Sequence, residues 1–180
     1  DEKVELRTKF VELQNSIFDK QIASSESHKD NRALKLSTWK PFEFETTPWF
    51  DPEWMFGVDR FHLVIGNPPY IKEYTRRAAF DHIRDGKFYQ GKMDMWYYFA
   101  CHFLENFVQK KTGLLTFIAT NNWVTNSGAS KLRKFICENA TIVSLTDFGD
   151  TKIFESAGIQ TMILIAQYVN DNPVYKFDYS

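Results

Sequence analysis

The sequence is poor in cysteine and lacks long apolar runs, and these absences exclude several classes of protein. Its two cysteines, Cys101 and Cys137, lie in apolar, helix-like surroundings, so neither a disulfide framework nor a zinc site is expected. No run of about 18 apolar residues occurs, and the first ten residues lack the pattern of a signal peptide. These absences argue against a membrane span and predict a reducing, cytoplasmic location. Four histidines have neither metal-site nor catalytic-triad spacing and receive no role: His28, His62, His82 and His102.

The composition is that of a globular chain that is rich in aromatic residues. Of the 180 residues 43% are hydrophobic and 25% are charged, and 5 Trp, 8 Tyr and 17 Phe are present. The net charge is only -1, but residues 61–140 hold 11 basic and 6 acidic side chains. A basic middle flanked by acidic ends is what a polyanion would bind. The alternative interpretation is a solvated surface with scattered lysines and arginines.

The first 60 residues predict two segments before the main domain. Apolar residues recur at helical spacing over residues 4–22, so a helix is expected there, followed by a polar linker that closes the segment 1–30. Residues 31–60 combine many aromatic residues with Pro41, Pro48 and Pro52. Prolines interrupt long helices, so this segment is predicted to be non-repetitive and held by its aromatic side chains.

Residues 61–180 predict an α/β domain. Short apolar runs at 61–65, 114–119, 142–148 and 160–168 predict four strands, and helices are predicted over 93–108 and 130–139. Asp94 falls in the first turn of the earlier helix, where a carboxylate is favoured; the alternative role is a catalytic base. Helical crossovers make the first three strands parallel, while the short last connection predicts an antiparallel hairpin. The predicted fold is a partial doubly wound, Rossmann-like sheet.

The segment Asn67-Pro68-Pro69-Tyr70 directly follows the first predicted strand. Open α/β sheets bind ligands at the carboxyl ends of their strands. Proline has no N–H, so this segment offers carbonyl acceptors without competing donors, and the Asn67 side chain adds another. Two converging acceptors suit an NH2 group, and Tyr70 offers a flat face to an aromatic ring. The motif therefore predicts a site for a planar aromatic amine; the alternative is a strand that ends in a tight, proline-rich turn.

The segment FHLVIGNPPY resembles motif IV of the N6-adenine DNA methyltransferases, a class I S-adenosylmethionine-dependent family. GKMDMWYYFACHFLENF is similar to the motif V helix of that family, and GLLTFIATNNW to its motif VI strand and the loop after it. IFESAGIQTMILIAQ resembles the hairpin of motifs VII and VIII. The resemblance covers residues 61–168 in the family's order. The stretch WFDPEWMFGVDRFHLVIGNPPY further resembles the methylase part of type IIG restriction–modification and phage-defence proteins.

The resemblance implies a mechanism, with double-stranded DNA as the partner and no membrane. A flipped adenine would donate its exocyclic amine to the Asn67 side-chain oxygen and the Pro68 carbonyl, with Pro69 completing the motif. Tyr70 would stack on the base, and Phe154 matches a second base-contacting aromatic, or is a packed loop anchor. Three residues after the second strand are expected to line the cleft, or to pack in the loop: Asn121, Asn122 and Trp123. Basic residues near the site are candidates for phosphate contacts: Lys72, Arg76, Arg77, Arg84, Lys87 and Lys92.

The family's glycine-rich cofactor loop does not precede Phe61, where Gly57 is the only earlier glycine. The chain therefore resembles the C-terminal half of a catalytic domain, with most of the S-adenosylmethionine pocket outside it. The first predicted strand would then carry an unpaired apolar edge, a feature that promotes self-association. The isolated chain is expected to be inactive.

Two other functions remain open from the sequence. A protein-glutamine methyltransferase would use the same acceptors to hold a side-chain amide. A non-catalytic DNA-binding or assembly module would keep the fold without the chemistry.

Overall fold

The computed structural model describes residues 2–23, 35–36, 39–43, 49–151, 153–154, 158–169 and 178–179. The chain divides into two compact units, Asp1–Val58 and Asp59–Ser180. Within the described ranges, no helix is long and apolar enough to cross a membrane. The linker predicted at residues 24–30 lies outside the described residues, as does much of the segment 31–60.

The first unit contains a long helix and a cluster of aromatic rings. Helix α1 spans Glu2–Ala23, which confirms the helix predicted from spacing. Its Phe10 ring lies 5.8 Å from Trp39 and 5.4 Å from Phe42, centroid to centroid, in edge-to-face geometry. Aromatic contacts therefore hold the described part of this proline-containing region.

A short helix in the first unit was not predicted from the sequence. Helix α2 spans Pro52–Phe56, where Pro52 occupies the first turn and the Asp51 carboxylate accepts a hydrogen bond from the Trp54 amide at 3.2 Å. Gly57 ends the helix in the left-handed conformation, with φ of 71°. Proline was interpreted as a helix breaker, but at the first helical position its missing N–H costs nothing.

The second unit is built on one sheet. Its strands are β1 (Leu63–Gly66), β2 (Leu114–Thr120), β3 (Ala140–Asp147), β4 (Thr161–Tyr168) and β5 (Asp178–Tyr179). Its α-helices are α3 (Met95–Asn106) and α4 (Ser130–Asn139). Shorter 3₁₀ helices cover Arg77–Ile83, Asn121–Val124 and Ser127–Ala129.

The strand order in the sheet is β1-β2-β4-β3-β5. Strands β1 and β2 are parallel, and β4 runs antiparallel to β3, as the connections predicted. Strand β4 lies between β2 and β3 and pairs with both, so β2 and β3 are not neighbours. The sequence did not predict this insertion, because strand order depends on side-chain packing across the sheet. The α/β fold class itself is confirmed.

Helices α3 and α4 cover one face of the sheet. Leu115, Phe117 and Ala119 of β2 are buried on that face, together with alternate residues of β4. The Phe103 ring of α3 packs 6.3 Å from Phe117, centroid to centroid. The opposite face of β1 is open, since Leu63 and Ile65 are exposed. The core therefore lies on one side of the sheet.

Candidate functional site

One edge of the sheet gathers the carboxyl ends of three strands. Strand β1 ends at Gly66, β2 at Thr120 and β3 at Asp147. Thr120 lies opposite Thr161, the first residue of β4, so the loop that leads into β4 reaches the same edge. This is where an open α/β sheet binds its ligands.

Asn67 to Tyr70 lie at this edge, directly after β1. Asn67 is exposed, Pro68 is buried and Pro69 is exposed. No described residue makes a hydrogen bond to the Asn67 carboxamide, so it is open to an incoming donor. The half-buried Tyr70 donates its hydroxyl proton to the Ile118 carbonyl of β2 at 2.8 Å. That hydrogen bond fixes the Tyr70 ring beside the strand end, and burial, followed by the nearby Asp94 charge, raises its pKa.

Asn121 is tied to the loop that follows β3. Its side-chain amide donates to both carboxylate oxygens of Asp147 at 3.1 Å. The Asp147 carboxylate also accepts the Gly149 amide at 2.9 Å. Gln160 donates in turn to Asp150 at 2.6 Å. Side-chain hydrogen bonds therefore join the turn after β2 to the end of β3 and to the loop between β3 and β4.

Asn122 is fixed by a second hydrogen-bond network that reaches into the core. Its side-chain oxygen accepts from the Tyr97 hydroxyl at 3.0 Å and from the Thr120 hydroxyl at 3.1 Å. The buried Trp96 indole donates to Thr120 at 2.9 Å, and Asn126 donates to the Tyr97 hydroxyl at 3.1 Å. Burial raises the pKa of Tyr97 to about 12, so its hydroxyl stays protonated and remains a donor. The amide of Asn122 is thus held in one orientation.

A cavity of about 430 Å³ opens between these loops, a size in the range of small-ligand sites. Its lining combines a lysine with amide, hydroxyl and carboxylate groups: Lys72, Thr120, Asn121, Asn122, Gly149, Asp150, Thr151, Gly158, Ile159 and Gln160. The polar lining suits a ligand with several hydrogen-bonding groups.

Trp123 does not line this cavity, so its position agrees with loop packing, one of the two alternatives that the sequence left open. It is only 5% exposed, and its indole N–H donates to the Met162 sulfur at 3.0 Å. The first turn of 3₁₀ helix after β2 rotates Trp123 inward while Asn121 and Asn122 face the cavity. The sequence left cleft lining and loop packing open for all three residues, and a helical turn where a loop was expected separates Trp123 from the other two.

Phe154 lies in the loop between β3 and β4 and is half-buried. Both ends of that loop line the cavity. Residues 152 and 155–157, on either side of Phe154, lie outside the described residues. Its base-contacting role remains a prediction.

The predicted phosphate-binding residues separate into two groups. Arg84 forms ion pairs with Glu73 and Asp81, and Lys87 pairs with Glu105. Arg76, Arg77 and Lys92 are exposed and make no ion pair with a described residue, while Lys72 borders the cavity. These four residues lie in the segments that surround the site and remain available to an anion.

Asp94 begins α3 but does not cap it with a hydrogen bond. It is only 1% exposed, and neither carboxyl oxygen has a hydrogen-bond partner among the described residues. Burial raises its pKa to about 6, although the nearby Lys72 charge and the first amides of α3 oppose the rise. The sequence predicted the position of Asp94 at the helix start, but not its desolvation.

Other residues of the site were not identified from sequence. Asp147, Gln160 and Asn126 carry no motif, and their roles arise from hydrogen bonds between segments that are far apart in the chain. No sequence signal pointed to them, because Asp147 and Gln160 fall within predicted strands and Asn126 lies in a segment without a predicted element.

Curated relatives match this chain over part of their length. The type II methyltransferase M.BanIII of Aneurinibacillus aneurinilyticus is 28% identical over 116 residues, which are 63% of this chain and 19% of that protein. The type II restriction enzyme and methyltransferase RM.Eco57I of Escherichia coli is 26% identical over 116 residues, covering 62% of this chain and 11% of that protein. The chain thus spans about a fifth or less of these relatives.

A solved structure shares the fold. It is a modification subunit assigned to a type I restriction enzyme from Vibrio vulnificus YJ016, with a TM-score of 0.50 and 13% identity. The alignment covers 71% of this chain and 26% of that one.

The family model described as Eco57I restriction-modification methylase matches residues 3–154, which include nearly all of helix α1, the Asn67 to Tyr70 segment and both Asn121 and Asn122. The chain belongs to the Eco57I restriction-modification methylase family.

Proposed function

We propose that this chain carries the target-base half of a DNA methyltransferase that methylates the exocyclic amine of adenine, within a restriction–modification or phage-defence protein. The observation that carries the proposal is the position of Asn67. Its carboxamide is exposed at the carboxyl end of β1, without a partner among the described residues, and Lys72, five residues further along the chain, lines the polar cavity.

In this proposal the chain binds an adenine that has rotated out of the duplex, at a cost of a few kcal/mol. The Asn67 side-chain oxygen and the Pro68 carbonyl accept the two amine hydrogens. They draw the nitrogen towards tetrahedral geometry and aim its lone pair at the methyl carbon. The same oxygens stabilise the positive charge that develops on the nitrogen.

Tyr70 holds the base by its face. Its hydroxyl is engaged with the Ile118 carbonyl, so the ring has little freedom to rotate. A ring fixed before binding loses less entropy when the base arrives. Phe154 is proposed as the second aromatic contact, from the loop whose two ends line the cavity.

S-adenosylmethionine is the proposed cofactor, and when bound it supplies the methyl group. In this proposal the described residues hold the adenine that accepts the methyl group and supply little of the cofactor pocket. None of the described strands is followed by a glycine-rich turn, the element that holds the cofactor in the family the sequence resembles. We therefore propose that other parts of the full-length protein supply most of the cofactor pocket.

The test compares Asn67→Ala with wild type in the natural full-length protein. Methylated positions are mapped by sequencing DNA from cells that express each protein. Wild type should produce N6-methyladenine at a defined sequence, while Asn67→Ala should lose at least about 100-fold in rate, as when one preorganised group is removed from an active site. DNA binding should persist. Asn15→Ala, an exposed asparagine of α1, is the matched control and should behave as wild type.

Other outcomes would contradict the proposal. Methyl groups on a protein glutamine and not on DNA would favour the glutamine methyltransferase. Absence of any methyl transfer by wild type would favour a non-catalytic module.

The proposed division of the cofactor pocket has its own measurement. Titration calorimetry with S-adenosylmethionine should show tight binding by the full-length protein and none by the 180-residue chain. Comparable binding by both would place the pocket within this chain.

A further inference from the structure

A tight turn follows the Asn67 to Tyr70 segment. The Lys72 carbonyl accepts hydrogen bonds from the Thr75 amide at 3.0 Å, the Arg76 amide at 3.2 Å and the Thr75 hydroxyl at 2.8 Å. At the tip, Glu73 is 7% exposed and Tyr74 is 75% exposed. Neighbouring side chains therefore point in opposite directions, one into the protein and one into solvent.

Glu73 anchors this turn from within. Its carboxylate accepts hydrogen bonds from the Tyr89 hydroxyl, from the Lys92 amide at 2.6 Å and from Arg84 at 3.3 Å. Its own amide donates to the Met93 carbonyl at 3.0 Å. Burial by itself would raise the pKa of Glu73, but these donors lower it, so the Glu73 carboxylate stays ionised. The backbone that carries Tyr74 is therefore fixed.

The surroundings of Tyr74 are basic. The Lys72 ammonium lies 5.9 Å from the centre of the Tyr74 ring. Arg76 and Arg77 follow Tyr74 closely in the chain, and the Lys92 amide is hydrogen-bonded to Glu73 of the same turn. All three side chains are exposed and make no ion pair with a described residue, although the Arg77 charge helps to lower the pKa of Glu73. By contrast, Arg84 and Lys87 are neutralised by carboxylates. An exposed aromatic ring among unpaired cations is the combination that binds bases and phosphates together.

Tyr74 is also close to the target-base site. Tyr74 lies four positions after Tyr70 in the chain, so the two Cα atoms are at most about 14 Å apart. Successive base pairs are about 3.4 Å apart along the duplex. A base within a few steps of the target is therefore within reach of Tyr74.

We propose that Tyr74 stacks on a nucleobase beside the target adenine and stabilises the duplex while the target is out of the stack, with Arg76, Arg77 and Lys92 on the adjoining phosphates. This inference rests on the proposed function, because it takes a base in duplex DNA as the substrate. It adds a positioning residue that acts on the DNA around the reaction and not on the reacting atoms.

The test uses the full-length protein with Tyr74→Ala and Tyr74→Phe. The substrates are two oligonucleotide duplexes that contain the mapped recognition sequence, one fully paired and one with a mismatch opposite the target adenine. On the paired duplex, Tyr74→Ala should lower the methylation rate by about 5- to 100-fold, since a stacked base contributes that much. Tyr74→Phe, which keeps the ring, should stay within about 2-fold of wild type.

On the mismatched duplex the defect of Tyr74→Ala should shrink to less than about 3-fold, because a mismatched base is easier to flip. A purely structural role would give the same defect on both duplexes and would overturn the inference. Because Tyr74 is exposed, the variants should keep the wild-type melting temperature.

The salt dependence of DNA binding tests the phosphate contacts. Arg76→Gln should reduce the slope of log K against log salt by about 1. Lys110→Gln, an exposed lysine after α3, should leave it unchanged. An unaltered slope in Arg76→Gln would remove the phosphate part of the inference.

The failure of this inference is distinguishable from failure of the proposed function. If wild type methylates adenine and Tyr74→Ala is equally active on the paired duplex, only the inference is wrong. If wild type methylates no DNA, the proposed function is wrong and the inference falls with it.

Discussion

At the scale of single residues, close backbone contacts hold the loops of the site in place. Gly128 packs directly against the Lys92 backbone, at the point where the loop before α3 meets the loop after β2. Lys92 itself has a φ of 53°, in the left-handed region that non-glycine residues rarely adopt. Its amide is held by the Glu73 carboxylate. Lys92 thus takes part both in the hydrogen bond to Glu73 that holds the Tyr74 turn and in the contact with Gly128.

Gly128→Ala should destabilise the chain. An added Cβ would lie 1.9 Å from the Lys92 carbonyl oxygen and 2.5 Å from its carbon, and backbone atoms cannot move aside cheaply. We expect a loss of about 2 kcal/mol or more in the free energy of unfolding, measured by urea denaturation. Gly158→Ala is the control, since a Cβ there meets no atom within 4 Å. Equal stabilities of the two variants would show that the contact relaxes freely.

At the scale of elements, the start of α3 joins the helix to the Asn67 to Tyr70 segment. The Met95 amide donates to the Ile71 carbonyl at 2.8 Å, and Lys72 lies opposite Asp94 in an antiparallel bridge. The helix therefore positions the residues that follow Tyr70. Asp94 is buried in this junction without a hydrogen-bond partner among the described residues.

Asp94 should make stability depend on pH. Its pKa is about 6 in the folded chain, above the ordinary value of about 3.9, so the folded state binds the proton more tightly. The free energy of unfolding should therefore fall as the pH rises from about 4 to about 6 and remain lowered above that. Asp94→Asn removes the buried charge and should raise stability at pH 7.5 by about 1–2 kcal/mol, with little change at pH 4.

Urea denaturation at both pH values measures this effect. Asp85→Asn, at an exposed aspartate, is the control and should show no comparable difference between the two pH values. If Asp94→Asn is no more stable than wild type at pH 7.5, the carboxyl is not destabilising the fold.

At the scale of the whole second unit, the sheet has one covered and one open face. Strand β1 pairs only with β2 among the described strands, and its Ile65 is 73% exposed. Leu63 lies on the same face and is also exposed. An apolar edge strand with unpaired backbone groups is a template for association with another chain.

The 180-residue chain should therefore self-associate through β1. Sedimentation velocity over a range of protein concentrations should detect a dimer for wild type and a monomer for Ile65→Lys, since an edge charge opposes pairing. Val124→Lys, an exposed residue outside the sheet, should still dimerise. A monomeric wild type at all concentrations would contradict the proposal.

The sequence by itself determined the longer helices, the four main strands and the place of the motif. The apolar spacing of α4 predicted its observed bounds, Ser130–Asn139. In an amphipathic helix, the residues of the buried face recur every three to four positions, so the sequence alone reveals that face. Asn67 was placed after a strand for a similar local reason, since a short apolar run followed by two prolines has few other solutions.

Only the tertiary structure decided the rest. The insertion of β4 between β2 and β3, the inward turn of Trp123 and the desolvation of Asp94 all depend on which segments pack together. The anchoring of Glu73 by Tyr89, Arg84 and Lys92 is similar, because its donors are 11 to 19 residues away in the chain. Local sequence specifies backbone preference and the side that is buried, whereas hydrogen bonds and burial at the site are properties of contacts between distant residues.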